Sequence, residues 1–151
     1  MKKFFTWFLV VFSILFFVLL FIFKNQLNQT ASTMIYAQLN ENEKQDVTTL
    51  VDSLYNYSKS GLPYEITFLE FGSTGCSACK RMEKVMEEIR ERYPQKVKVV
   101  FYNITIPKNQ KLMKYYGVSV IPTQILLDNE GNEFFRHSGF ISAKGLTQYF
   151  K

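Results

Sequence analysis

The stretch ITFLEFGSTGCSACKRMEKVMEEIRERYP, residues 66–94, decides the fold. Ile66 to Phe71 is a compact apolar run, which reads as a buried strand. Gly72-Ser73-Thr74-Gly75 follows as a loop. From Ser77 to Tyr93 the apolar residues are Met82, Val85, Met86 and Ile89. That spacing is one face of an amphipathic helix, and Pro94 ends it. A strand therefore feeds a helix through a short polar loop.

The two cysteines of the chain, Cys76 and Cys79, sit at this junction. Random placement would give that spacing on the order of one per cent of the time. The first turn of a helix exposes unpaired N–H groups and carries roughly half a positive charge. A thiolate is stabilised there, and Lys80 and Arg81 add positive charge nearby. Cys76 is expected to be the acidic, attacking sulfur. Cys79, one turn further in, is expected to be more buried and to resolve a mixed disulfide. Two rival readings exist. Zinc needs four ligands, and the chain offers no further Cys and one distant His, His137. A purely structural bridge would close so short a loop that it constrains little of the unfolded chain.

Two other positions stand out. Glu70 interrupts the apolar strand six residues before Cys76. Turned under the helix, it would be desolvated and could relay a proton to or from Cys79. Its alternative is a strand-end carboxylate paired with a lysine. Ile121-Pro122-Thr123 places a proline at the start of an apparently internal strand, where it fits as a loop residue with a cis bond or as an ordinary turn. A bend there could bring residue 121 to the cysteines and let its backbone bind an extended peptide. His137 reads as an exposed or half-packed ring, and Met82 and Met86 as core.

Outward from this centre the pattern alternates. Met34 to Gln38 is a short candidate strand, and residues 41–59 carry Val47, Leu50, Val51 and Leu54 at helical spacing. Val97 to Tyr102 is β-branched and aromatic, Lys108 to Tyr116 a short helix stopped by Gly117, and Thr123 to Leu127 a strand. Asp128-Asn129-Glu130-Gly131 is a turn, Glu133 to His137 a hairpin partner, and Ser142 the cap of a last helix. The expected order is β-α-β-α-β-α-β-β-α: an α/β fold with parallel crossovers and a late antiparallel edge.

The N-terminal end is different. Eight of the fifteen Phe lie between Phe4 and Phe23, in a run whose polar residues are Thr6 and Ser13. Twenty helical residues span about 30 Å, the thickness of a bilayer's hydrocarbon core. Lys2 and Lys3 precede the run and Lys24 follows it, so the positive-inside rule puts the N-terminus in the cytoplasm. A cleaved signal peptide is the alternative, though it has a shorter core and a small-residue cleavage site. The expected division is 1–3 cytoplasmic stub, 4–23 transmembrane signal-anchor, 24–33 polar tether and 34–151 folded domain. Eighteen basic and 13 acidic residues give a net charge of +5 without the clustered basic face of a nucleic-acid binder. The high Lys, Asn, Ile and Phe content suits an AT-rich bacterial genome.

Residues 34–151 resemble the thioredoxin family. The resemblance rests on Leu69-Glu70-Phe71, Cys76-Ser77-Ala78-Cys79-Lys80, Tyr116-Gly117-Val118 leading to Ile121-Pro122-Thr123, and Gly139 before the last helix. It implies a thioredoxin-like mixed sheet flanked by helices and a cis Pro122 facing the cysteines. It also implies that substrate lies against Gly75, Ser77, Ile121 and Pro122, and that the working group is the Cys76–Cys79 disulfide, with no cofactor or metal. Departures are Gly75 where the family usually has Trp, Ser77-Ala78 for Gly-Pro, Glu70 for Asp, Lys84 for a kinking proline, and Phe101 for a lysine beside the acid. The chain is similar to the membrane-anchored reducing branch of the family. That implies an extracytoplasmic, single-pass protein that reduces protein disulfides, takes electrons from a membrane-embedded donor and touches lipid through residues 4–23. Cytochrome c maturation and envelope protein repair are the implied services. An oxidase or isomerase, and a redox-inert adaptor, are the alternatives.

Overall fold

A computed structural model describes residues 2–150, without the side chains of residues 2–6, 24 and 25. Met1 of the expected cytoplasmic stub and Lys151 lie outside the described residues. The elements are α1 (Lys2–Tyr36), α2 (Glu41–Tyr55), α3 (Tyr57–Ser60), β1 (Ile66–Gly72), α4 (Ser77–Arg92), β2 (Val97–Asn103), α5 (Pro107–Tyr115), β3 (Thr123–Leu127), β4 (Glu133–Ser138) and α6 (Ala143–Thr147).

The strands form one sheet in the order β2-β1-β3-β4. β1 pairs with β2 in parallel, through the α4 crossover, and with β3 antiparallel; β3 and β4 form the closing hairpin. All seven residues of β1 are buried, as a central strand covered on both faces requires. Side chains alternate between the faces. Ile66 and Phe68 join Met82, Val85, Met86 and Ile89 of α4, with Ala143 and Leu146 of α6. Leu69 and Phe71 join Val47, Val51 and Tyr55 of α2, with Leu112 of α5. The even-numbered residues of β1 therefore face α4, and this parity governs the site.

Two expectations change. Met34–Gln38 does not form a strand: the chain is helical through Tyr36 and then turns. The polar tether expected over 24–33 is also part of this helix. Its hydroxyls make that affordable, since Thr30 and Thr33 donate back to the carbonyls of Gln26 and Gln29, both at 3.0 Å. Met34, Ala37 and Gln38 also favour helix over strand. The end of α1 is docked on the domain. Tyr36 packs against Tyr115, with ring centroids 6.0 Å apart. Gly117 adopts φ +57°, and a Cβ there would lie 2.6 Å from the Ser32 carbonyl oxygen.

In α2 the buried stripe is Val47, Val51 and Tyr55, whereas Leu50 and Leu54 are exposed. A four-residue interval, not the expected three-and-four pattern, defines the core face. Asn40 and Glu43 form a capping box at its start. Asn56 ends α2 and caps α3, which divides the single helix expected over 41–59.

The apolar side chains from Trp7 to Phe23 are all exposed. Among the described residues no single helix is long and apolar enough to cross a membrane. α1 is bent by 56° between Trp7–Phe23 and Gln26–Tyr36, so neither part alone has the length and apolar composition of a span, whereas the two together do.

Gly117→Ala is expected to weaken the docking of α1, because the new methyl group meets the Ser32 backbone and the left-handed conformation is strained. A loss of about 1–3 kcal/mol in unfolding free energy should accompany faster amide exchange over 26–36. Unchanged exchange in that segment would show that the contact does not hold the helix.

Candidate active site

β1 ends at Gly72, and four residues later Cys76 caps α4. Cys76 is extended, with φ −90° and ψ 118°, so its side chain projects back over the first turn. Its sulfur accepts a hydrogen bond from the Cys79 N–H at 3.2 Å. This is the free-donor geometry of a helix N-terminus, with sulfur in the place usually taken by a capping oxygen. The two cysteines form a disulfide, with Cα atoms 5.2 Å apart. Cys76 is half-buried and Cys79 buried, so one sulfur has access from outside and the other lies against the core.

Gly72 makes the inner position possible. A Cβ at this residue would sit 3.2 Å from Cys79 Sγ and 3.0 Å from Phe101 Cε2. The helix comes down on the strand end because that strand end has no side chain. From the sequence alone Gly72 reads as a loop residue. A glycine closing an apolar run was the available signal.

Glu70 lies two residues back, so it shares the α4-facing side of β1 with Gly72. It is completely buried. The lysine-paired alternative is not what the structure contains: Gln124 of β3 donates from Nε2 to both carboxylate oxygens, at 3.1 and 3.4 Å. On the other flank Glu70 pairs with Phe101 of β2. Burial raises the carboxyl's pKa to about 8, and the Gln124 hydrogen bond offsets part of the rise. Gln124 is a second residue that sequence reasoning missed, although a polar residue inside Thr123–Leu127 gives the same signal as Glu70.

The Ile121–Pro122 peptide bond is cis. Pro122 is buried, and its carbonyl accepts the Gly139 N–H at 2.8 Å. Thr123 pairs with Phe71, so one further step along the register sets Pro122 beside Gly72. The proline and the cysteine loop thus share one end of the sheet. Ile121 is half-buried, whereas Gly75 and Ser77 are exposed. Arg81 stacks over Phe140, with its guanidinium carbon 4.7 Å from the ring centroid. His137 is half-buried, with Nε2 3.3 Å from the Phe140 carbonyl oxygen. Lys84 lies within an unbroken helix from Ser77 to Arg92. Among the described residues no three His, Cys, Asp or Glu side chains are grouped so as to hold a metal ion.

The sequence model of the "Thioredoxin-like domain" family matches residues 51–151. The chain belongs to the thioredoxin-like family. Among its relatives is the thiol:disulfide interchange protein DsbD of Haemophilus influenzae (strain PittEE), 26% identical over 131 residues. That match covers 82% of this chain but 21% of DsbD, so the chain spans about a fifth of that protein's length. A thioredoxin of Rickettsia bellii is 35% identical over 71 residues, 47% of this chain and 63% of that protein. Solved structures share the thioredoxin fold. A malaria parasite thioredoxin-2 superposes with a TM-score of 0.53 at 24% identity, covering 57% of this chain and 81% of its own. The exposed lipoprotein thioredoxin Etrx1 of Streptococcus pneumoniae gives 0.51 at 22%, covering 59% and 85%.

Glu70 gives the thioredoxin-like domain a pH signature. Its folded pKa of about 8 lies above the ordinary carboxylate value of 4.5, so the folded state binds the extra proton between those limits. Stability therefore falls as pH rises through that window, by up to about 1.4 kcal/mol per pH unit, and levels off above it. Urea unfolding at pH 5, 6, 7 and 8 should show this slope in the wild type and a flatter one in Glu70→Gln. Parallel slopes would mean that Glu70 does not titrate there.

Proposed function

We propose that this protein is a membrane-tethered thiol–disulfide oxidoreductase that reduces protein disulfides outside the cytoplasm. The observation that carries the reading is the asymmetric pair: a reachable Cys76 sulfur at a helix N-terminus and a buried Cys79 sulfur within bonding distance of it. In the reduced protein the Cys76 thiolate attacks one sulfur of a client disulfide. A Cys76–client bond forms, and the other client sulfur leaves as a thiolate that takes a proton from water. Cys79 then gives its proton to the Glu70 carboxylate and attacks Cys76 Sγ. The Cys76–client bond breaks, the second client sulfur leaves, and the Cys76–Cys79 disulfide remains. The client has gained two electrons and the protein has lost two. A membrane-embedded dithiol donor returns them by the reverse exchange.

Gly75, Ser77, Ile121 and Pro122 form the client-facing surface in this reading. Support comes from the exposed loop beside Cys76 and from the proline's place at the same sheet end. The clients are exported proteins, with the disulfide form of apocytochrome c and oxidatively damaged envelope proteins as the fitting classes. Residues 4–23 tether the domain in a bacterial cell membrane, with the N-terminus inside. The exposed apolar surface of Trp7–Phe23, with Lys2 and Lys3 before it, supports that reading.

Insulin reduction by the full chain in detergent micelles, with dithiothreitol as donor, tests the chemistry. Cys76→Ser should lower the rate roughly 100-fold or more, and Cys79→Ser should accumulate a client-linked mixed disulfide. Turnover by Cys76→Ser at the wild-type rate would leave an adaptor that uses the fold alone. Equilibration against glutathione buffers tests direction. A potential below about −230 mV is expected of a reductant, and one near −120 mV would identify an oxidant.

A further inference from the structure

Four side chains stand in one row across the sheet. Phe101 of β2 pairs with Glu70 of β1, Glu70 with Gln124 of β3, and Gln124 with His137 of β4. Strand alternation puts the row on the α4-facing side, with Phe68, Val99, Leu126 and Phe135 in the adjoining core. Glu70 and Gln124 are both fully buried. Nε2 of Gln124 donates to Glu70, while its Oε1 is buried without a hydrogen-bond partner.

An orphaned acceptor in the interior is unfavourable, so its retention needs a reason. Glutamine carries a donor and an acceptor on one rotatable end. Facing ionised Glu70, Nε2 donates to the carboxylate. A half-turn of the amide brings Oε1 to the same place, where it accepts the O–H of protonated Glu70. A lysine could serve only the ionised form, and a leucine neither. The atom left facing away is the cost of a partner that fits both forms.

We propose that Gln124 is a positioning residue for Glu70, turning its amide to hold the carboxyl in place whether or not the carboxyl carries a proton. Its use rests on the exchange reading above, in which Glu70 takes a proton from Cys79 during client release and returns it when the disulfide is reduced. The groups around Glu70 leave this task to Gln124. β2 presents Phe101, Cys79 of α4 lies over the neighbouring Gly72, and β4 presents His137 beyond Gln124, directed at the Phe140 carbonyl. Gln124 is the side chain that hydrogen-bonds the carboxyl, and no charged group contributes to its shift.

The test is a titration of the full chain in detergent micelles, locked in the disulfide form. Carboxyl-¹³C glutamate labelling follows Glu70, assigned by its loss in Glu70→Gln, and ¹⁵N labelling follows the Gln124 amide. In the wild type the Gln124 amide signals should move with the same midpoint as the Glu70 carboxyl. Gln124→Leu should raise the Glu70 midpoint, and Gln124→Lys should lower it by roughly one to three pH units. If Gln124 merely filled space, Gln124→Leu would change the unfolding midpoint and leave the Glu70 midpoint alone, whereas the lysine shift comes from the new charge and calibrates the readout. Wild-type amide signals that stay flat through the Glu70 titration would overturn the proposal, and they decide it even if neither variant folds. An unchanged Glu70 midpoint in folded Gln124→Leu would overturn it as well. The locked disulfide does not turn over, so this result is separate from the insulin assay, whose failure would sink the reductase reading instead.

Discussion

The close approach of Cys79 to the end of β1 is the constraint on which the rest depends. Gly72 lets the first turn of α4 settle directly on the strand, with Phe101 closing one side. Any larger residue would push the helix outward or turn the sulfur away. Because the helix sits low, its second cysteine falls inside the core and its capping cysteine stays at the rim. The unequal surroundings of two chemically identical sulfurs thus come from a missing methyl group. The parity of β1 then fixes which acid can serve them. Glu70 shares the face of Gly72, whereas its neighbours Leu69 and Phe71 belong to the opposite core.

Much of this was legible in the residue pattern. The strand-loop-helix unit, the cysteine spacing and the acid in an apolar run all rest on local signals, and the structure puts them where those signals pointed. The proline before β3 was legible as an oddity, and its cis bond as something the family resemblance implied. Features set by tertiary packing were not legible. Met34–Gln38 looks strand-like because it is short and apolar, yet Tyr115 and Gly117 offer a helix a seat. Leu50 and Leu54 obey helical spacing but lie on the wrong side of α2, since the angle at which a helix meets a sheet is not written in its own period. Gln124 was visible as a polar residue, but its partnership with Glu70 exists only once β1 and β3 are in register.

The buried acid is solved here in an unusual way for an interior charge. Interior carboxylates are generally stabilised by a cation or by several N–H donors. Glu70 has one amide and an aromatic ring as its lateral neighbours, so burial dominates and the neutral form persists toward neutral pH. An acid in that condition is poised to gain or lose a proton with modest free-energy cost near physiological pH. A cation in the row would have fixed it in one form.

The docking of α1 beside Gly117 has a mechanical meaning. The stretch Gln26–Tyr36 is helix pressed against the domain, and a helix of that length rises about 16 Å. Over Gln26–Tyr36 the chain is a mast instead of a leash. Residue 26 is thereby held at one place relative to the domain, so the apolar segment Trp7–Phe23 departs from a fixed point on the far side of the Tyr115–Gly117 seat.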